Sequence, residues 1–268
     1  MPRAALLHAL NHHPMAGWRN VKPFHAPALD GEGRLLWGGI GGSHLPSETL
    51  VCAFGTTEQK ARWTPLISPE YTDLELRPTD QLVFASKSGK TLELWTWISR
   101  LQGRGGWKGL INTPIAITQD DQNPLATLAR SEGWPILPIP LDVGGRFSVF
   151  TGIGTLPLAW MGKDAKAFIE GGRAVVAQME GGSGPWWDRV WNVQERLLEQ
   201  WQKGVGQWVL MPYALRLESL SAWWVQLVGE SLGKVAKDGS RRGLTAIRAV
   251  GPADQHSQLQ RWLAGPPD

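Results

Sequence analysis

The stretch QLVFASKSGKTLELWTWISRLQ, residues 81–102, decides the fold class of this chain. It begins with a short apolar run typical of a buried β-strand and ends with the apolar spacing of a helix. Two further pairs have the same order, since RLLWGGI precedes SHLPSETLVCAF and PIAITQD precedes NPLATLARSEGW. Three strand-then-helix units in succession predict an α/β fold, in which helices cover the faces of a parallel sheet.

The composition is that of a folded chain with no nucleic-acid surface. Of its 268 residues, 42% are hydrophobic and 19% are charged, which excludes a disordered polymer. The net charge of +3 comes from scattered basic residues, whereas nucleic acid requires a basic stripe. The single cysteine, Cys52, excludes an internal disulfide framework and a thiolate metal cluster. Because this cysteine usage is typical of a reducing compartment, we expect a cytoplasmic protein. The sequence shows no secretory leader and no apolar run of about 18 residues, so we expect no membrane segment.

The middle of the chain is predicted to be helical. Helical periodicity runs through FSVFTGIGTLPLAWM, DAKAFIEGGRAVVAQM and DRVWNVQERLLEQWQKG. The glycine-rich segment EGGSGPWW, residues 180–187, is predicted to be a loop between the last two of these helices.

A second α/β segment follows. QWVLMPYA is predicted to be a buried strand, LRLESLSAWWVQLVGESLGK a helix, and SQLQRWLAG a final helix. We therefore expect a first subdomain over residues 1–165, and a helical connection with a partial second subdomain over residues 166–268.

Two β-to-α turns are the first candidates for ligand binding. GGIGGSH (Gly38–His44) and ASKSGKT (Ala85–Thr91) place glycine and hydroxyl residues where a strand ends and a helix begins. The N–H groups there are unpaired and the helix dipole is positive, so both turns are potential phosphate sites. One such turn alone is weak evidence, because glycine-rich turns and serine N-caps are common architecture. Two turns in one sheet are stronger evidence, since ligands of open α/β sheets bind at the carboxyl ends of strands.

Three single residues are further candidates. Arg146 in VGGRFS follows two glycines that leave its guanidinium room to point into a cleft, although an arginine in solvent at a helix start is the alternative. Glu230 in VGESLGK is either a functional or a solvated carboxylate at a helix end. His256 lies near the start of a helix that Asp254 is placed to cap, and a surface or packing role is the alternative. The spacing of the remaining histidines is not that of metal ligands.

These five motifs, in this order, resemble those of the phosphoglucose isomerase family. The matching segments are GIGGS, SKSGKT, VGGRFSV with LPLA, ESLGK and DQHSQLQ, which extend from about Arg34 to the end of the chain. The resemblance implies a three-layer αβα fold of the SIS (sugar isomerase) type, flavodoxin-like, with parallel sheets and an incomplete second subdomain. It also implies isomerisation of glucose 6-phosphate and fructose 6-phosphate by ring opening and enediol proton transfer, with no metal or organic cofactor.

The resemblance also implies a role for each candidate residue. The substrate phosphate would be bound by residues of both turns, namely Ser43, Ser86, Lys87, Ser88 and Thr91. Supporting backbone would come from Gly41, Gly42 and Gly145. Glu230 would transfer the proton between C2 and C1, and Arg146 would stabilise the enediolate. His256 would help to open the sugar ring from the neighbouring subunit of a homodimer. Lys90 stands where the family usually has threonine.

The chain also departs from the family pattern. The family's C-terminal helix carries an active-site lysine whose motif is not in this sequence, and the first turn comes early, near Gly39. We expect the second sheet to expose unpaired edges and apolar faces. Three hypotheses remain open: a minimal isomerase, a sugar-phosphate-binding protein with little turnover, and a fragment of a longer or split isomerase.

Overall fold

The computed structural model of the chain describes residues 3–21, 29, 33–70 and 74–265. It contains two compact units, one of which is Pro14–Ile169 and the other Met1–His13 with Glu170–Asp268. The boundary expected between residues 165 and 166 stays a prediction. Within the described residues, none of the helices is long and apolar enough to cross a membrane.

The strands and helices of the described residues alternate along much of the chain. The strands are β1 (Leu35–Gly38), β2 (Trp63–Leu66), β3 (Gln81–Ala85), β4 (Ile115–Thr118), β5 (Ile136–Pro138), β6 (Gln207–Leu210), β7 (Lys234–Val235), β8 (Arg241–Arg242) and β9 (Thr245–Arg248). The helices are α1 (Arg3–Asn11), α2 (Leu45–Phe54), α3 (Thr57–Arg62), α4 (Leu92–Gly103), α5 (Pro124–Glu132), α6 (Gly152–Trp160), α7 (Ala165–Glu180), α8 (Pro185–Gln202), α9 (Glu218–Leu232) and α10 (Gln255–Ala264).

The Pro14–Ile169 unit contains a parallel five-stranded sheet in the order β2-β1-β3-β4-β5. Helices lie on both sides of this sheet, so the predicted α/β class with a parallel sheet is confirmed. The three strands predicted from sequence are β1, β3 and β4, and the structure adds β2 and β5 at the two edges. This strand order is that of flavodoxin-like folds.

Both faces of the sheet are buried, as the apolar runs in its strands require. Leu36, Phe84 and Ala116 belong to one core cluster with side chains of α4 and α5. On the other face, α6 begins directly against Ile117 and Leu137. Helix α2 is joined to α6, because the buried Ser47 hydroxyl donates to the Ile153 carbonyl oxygen of α6 at 2.7 Å.

The strand order places the two candidate turns side by side. From β1 the chain passes through α2 and α3 to β2 on one side, whereas from β3 it passes through α4 to β4 on the other side. Neighbouring parallel strands whose connections diverge in this way leave a crevice at their carboxyl ends, where ligands of open α/β sheets bind. The turns after β1 and β3 both open into this crevice.

The other unit combines helices with a small parallel sheet. Strands β6 and β9 pair in parallel, with Gln207 opposite Thr245, and α9 lies between them in the chain. A short antiparallel pair, β7 and β8, follows α9. Both helices expected in this segment are present as α9 and α10, and the expected strand is present as β6. The prediction that this strand is buried is wrong, because Gln207 and Val209 are exposed and Trp208 and Leu210 are half-buried.

The prediction of a loop over EGGSGPWW is wrong for its last three residues, because α8 begins at Pro185. Proline suits the first position of a helix, where its missing N–H would have no acceptor. Trp187 and Trp191 are then buried one turn apart with Met179 of α7, and leucines of α1 pack against them. Burial of these two indoles favours helix over the loop that the glycines and proline suggested.

Candidate active site

The turn after β3, Ala85–Thr91, has the backbone of an anion site. Its Ser86 N–H continues the ladder to the Ile117 carbonyl at 3.0 Å, and its Gly89 N–H closes the turn on the Ser86 carbonyl at 3.1 Å. The N–H groups of Lys87 and Ser88 lie between them and donate to none of the described residues. The first N–H groups of α4 follow, and no side chain caps them. This cluster of unpaired donors suits an oxyanion.

Hydroxyl groups of the same turn add further donors. The Ser86 and Thr91 hydroxyls are hydrogen-bonded at 2.8 Å, and Ser86 is buried. Ser88 is exposed, and its Oγ accepts the Lys90 N–H at 3.3 Å. Because a hydroxyl rotates freely, all three can turn a hydrogen towards a bound phosphate.

Position 89 requires a glycine for two reasons, its backbone conformation and the closeness of a neighbouring side chain. Its φ of 64° lies in the left-handed region. A Cβ at this position would also lie 1.9 Å from Oδ1 of Asn123, which accepts the Ala126 N–H to cap α5. The turn after β3 therefore rests on the cap of the next helix.

Lys87 is anchored to another loop of the same unit. Its Nζ donates to the Leu141 carbonyl oxygen at 3.0 Å. Burial lowers the pKa of the Lys87 ammonium below its usual value of 10.5, and the nearby Asp142 carboxylate partly offsets this effect. The ammonium thus ties the turn after β3 to the segment that leads to Arg146.

The turn after β1 is a single 3-10 turn, Gly41–Ser43, which begins with a φ of 56° at Gly41. The Ser43 N–H donates to the Ile40 carbonyl at 3.1 Å and the His44 N–H donates to the Gly41 carbonyl at 2.9 Å, whereas the N–H groups of Gly41 and Gly42 donate to none of the described residues. The Trp37 indole N–H anchors the Ser43 carbonyl at 2.7 Å. The Ser43 hydroxyl also has no partner among the described residues and is a further donor that this turn offers.

His44 follows Ser43 and was not selected from the sequence. It is buried, its Nε2 lies 3.0 Å from a Glu48 carboxylate oxygen, and its ring stacks on that of Trp63. Its Nδ1 has no hydrogen-bond partner among the described residues. One signal was available, because Glu48 lies one helical turn further along the predicted helix.

The structure brings Arg146 next to the turn after β1. Arg146 lies in the 3-10 segment Gly145–Phe150, is half-buried, and places its guanidinium 4.6 Å from the centre of the Phe147 ring. A Cβ on Gly42 would lie 2.5 Å from the Gly145 carbonyl oxygen and 2.7 Å from the Arg146 Cα. The two backbones are therefore in direct contact.

Glu230 and His256 both lie in the other unit. Glu230 is exposed in the last turn of α9, where its Oε1 accepts an N–H of the Gln226 side chain at 2.8 Å. His256 is exposed in the first turn of α10.

The helix cap expected from Asp254 does not form as expected. Its carboxylate accepts the Val250 N–H at 2.6 Å, the Ser257 hydroxyl at 3.0 Å and the Gln258 side-chain amide at 3.3 Å, but it accepts no backbone N–H of α10. The Val250 N–H, followed by the side chains of Gln258 and Ser257, lowers the pKa of Asp254. The Asp254 carboxylate is therefore hydrogen-bonded to the loop before α10, at Val250, and not to the first backbone N–H groups of the helix.

In the part of the chain that the structure describes, no group of three or more histidine, cysteine, aspartate or glutamate residues is placed to hold a metal ion. The candidate residues supply hydroxyls, backbone N–H groups, a guanidinium, a carboxylate and an imidazole.

Comparisons with known proteins point to one family. No family model matches the chain. A glucose-6-phosphate isomerase of Thermus thermophilus is 36% identical over 245 residues, which are 86% of this chain and 56% of that protein. The probable glucose-6-phosphate isomerase of Haloarcula marismortui is 34% identical over 250 residues, which are 90% of this chain and 54% of that protein. The chain thus spans about half the length of the curated relatives it matches.

A solved structure is similar to this chain over nearly its whole length. The crystal structure of a hypothetical protein from Thermus thermophilus is 31% identical and matches with a TM-score of 0.78. The match covers 98% of this chain and 67% of that one.

Proposed function

The chain belongs to the glucose-6-phosphate isomerase family, and we propose that it interconverts glucose 6-phosphate and fructose 6-phosphate. One observation carries the proposal: the turns after β1 and β3 lie side by side at the carboxyl ends of the strands, and the backbone of Arg146 touches the first of them. A phosphate-binding crevice and a cation are thereby brought together in one unit.

In this proposal the phosphate binds in the turn after β3. The N–H groups of Lys87 and Ser88 and the hydroxyls of Ser86 and Thr91 would donate to its oxygens, and the Ser43 hydroxyl would donate from the other turn. The helix dipole of α4 adds positive potential. These donors are fixed by the strands before them, so little reorganisation is needed when the anion binds.

The isomerisation itself requires a base, a ring-opening group and a cation. We assign Glu230 the proton transfer between C2 and C1 of the open-chain sugar, and Arg146 the stabilisation of charge that develops on the enediolate oxygens. His256 would assist ring opening, and it would come from the neighbouring subunit of a cytoplasmic homodimer. A proton transfer of this kind needs no metal or organic cofactor.

A second candidate function is compatible with the exposure of Glu230 and His256 in the single chain. A carboxylate in water has less driving force for abstracting a carbon-bound proton than one in a partly buried site. A chain that keeps the phosphate turns while these two residues remain in solvent would bind sugar phosphates with little turnover.

A coupled assay that follows glucose 6-phosphate formation from fructose 6-phosphate separates the two functions. The variant Glu230→Gln should lose several orders of magnitude in kcat and retain ligand affinity. Glu218→Gln is the matched control, since Glu218 is an exposed glutamate at the other end of α9. Binding without turnover in the unmodified chain would establish the binding protein, and absence of both would refute both functions.

A further inference from the structure

Ser148 bridges two loops that lie 106 residues apart in the chain. It is buried, and its Oγ lies 2.7 Å from the Gly145 carbonyl oxygen and 3.1 Å from the Gly42 carbonyl oxygen. A serine hydroxyl has one hydrogen, so the two carbonyls share a single donor. One of these carbonyls belongs to the turn after β1, and the other belongs to the loop of Arg146.

Each of the two carbonyls belongs to the peptide group that precedes a candidate site residue. The Gly42 carbonyl shares a peptide plane with the Ser43 N–H, and the Gly145 carbonyl shares a peptide plane with the Arg146 N–H. Because a peptide group is planar, a hydrogen bond to its carbonyl also restrains the orientation of the N–H at its other end. Ser148 therefore restrains the planes that precede Ser43 and Arg146.

Close packing reinforces the bridge. With no Cβ on Gly42, its backbone approaches the Gly145 carbonyl and the Arg146 Cα directly. No flexible side chain lies between the two loops at this point, so a displacement of one loop is passed to the other.

We propose that Ser148 is a positioning residue, which couples the turn after β1, whose Ser43 donates to the bound phosphate, to the placement of Arg146. The catalytic consequence rests on the proposed function, whereas the coupling itself does not. Ser148 acts through Arg146, so removal of its hydroxyl should lower kcat much more than it raises KM for fructose 6-phosphate.

A double-mutant cycle tests this role. Ser148→Ala should lower kcat by about 100-fold, the effect of a misplacement of about 1 Å in an active site. In the Arg146→Ala background the same change should have an effect of about twofold or less. Equal losses in both backgrounds would show that Ser148 does not act through Arg146. Ser131→Ala is the control, because the exposed Ser131 hydroxyl also donates to a backbone carbonyl, that of Leu128 at 2.8 Å.

A titration with inorganic phosphate tests the coupling without turnover. In 15N NMR spectra of the full chain, phosphate should shift the backbone amide signals of both Ser43 and Arg146. In Ser148→Ala the Ser43 shift should remain and the Arg146 shift should fall at least threefold. An Arg146 shift that is unchanged in the variant, or absent in the unmodified chain, would overturn the proposal even if the chain is an isomerase.

Ser148→Cys keeps the proposal testable if Ser148→Ala does not fold. A thiol is close in size to the hydroxyl but is a weak donor, so the variant should keep the packing and lose most of the bridge. Its Arg146 shift should fall between those of the unmodified chain and a chain without the bridge. A full Arg146 shift in this folded variant would contradict the proposal.

Discussion

The Cα of Gly42 is so close to Arg146 that a Cβ on the glycine would lie 2.7 Å from the Arg146 Cα. Gly42 belongs to the turn after β1, and Arg146 lies at the start of a 3-10 segment that follows the last strand of the same sheet. The loop that carries Arg146 is thus held against the turn after β1 by direct backbone contact.

Gly42→Ala should destabilise the chain by about 1–3 kcal/mol, because the added methyl must displace the Gly145 carbonyl. Chemical denaturation measures the loss in the free energy of unfolding. Gly109→Ala is the control, since nothing lies within 4 Å of a Cβ at Gly109. Similar stabilities for the two variants would mean that the loops separate at little cost.

Gly89→Ala should cost more stability than Gly133→Ala, although both glycines have positive φ values, of 64° and 71°. The left-handed conformation costs about 1–2 kcal/mol for any residue with a Cβ. Only at Gly89 would the methyl also clash, with Asn123 Oδ1, whereas at Gly133 the space is open. Denaturation of both variants isolates the clash, and equal losses would show that Asn123 moves aside.

Gly89→Ala should also reduce the affinity for inorganic phosphate, while Gly133→Ala should leave it unchanged. The reason is that Gly89 shapes the backbone around the unpaired N–H groups of Lys87 and Ser88. Calorimetric titration measures both affinities. Undiminished phosphate affinity in folded Gly89→Ala would argue against a phosphate site in this turn.

The central strands could be predicted from sequence because each is a continuous apolar run next to a helical pattern. The edge strands β2 and β5 could not, since WTPL follows α3 without a turn residue and ILP has only three residues. Their strand conformation comes from pairing with β1 and β4, which is a tertiary effect. The start of α8 was missed for a related reason, because burial of Trp187 outweighs local glycine and proline signals.

The candidate site was predicted unevenly. The turns after β1 and β3 follow from glycine and hydroxyl residues at strand ends, a local signal. The hydrogen bond from Ser148 to Gly42 joins residues that are 106 positions apart in the sequence, and a local sequence pattern cannot predict a contact over that separation. Likewise, the anchoring of Lys87 on the Leu141 carbonyl depends on how two loops meet.

The double variant Ser86→Ala with Ser88→Ala should weaken fructose 6-phosphate binding by tenfold or more and leave binding of unphosphorylated fructose nearly unchanged. A hydrogen bond to a charged group contributes about 1.5–3 kcal/mol, so the loss of one alone would suffice. Calorimetry with both sugars measures the difference, and Ser131→Ala serves as the control. Equal weakening of both sugars would remove the two serines from the phosphate site.

Lys87 should make the stability of the chain depend on pH in the alkaline range. Burial lowers the pKa of Lys87 in the folded state below the 10.5 of an unperturbed lysine, so the unfolded state binds this proton more tightly. Stability rises with pH wherever the unfolded state binds more protons. The stability of the unmodified chain relative to Lys87→Met should therefore increase between the folded-state pKa and 10.5, and stay constant below that window. Thermal denaturation across this range tests the sign, with Lys108→Met as baseline. A relative stability that falls as pH rises would mean that the Asp142 carboxylate outweighs burial.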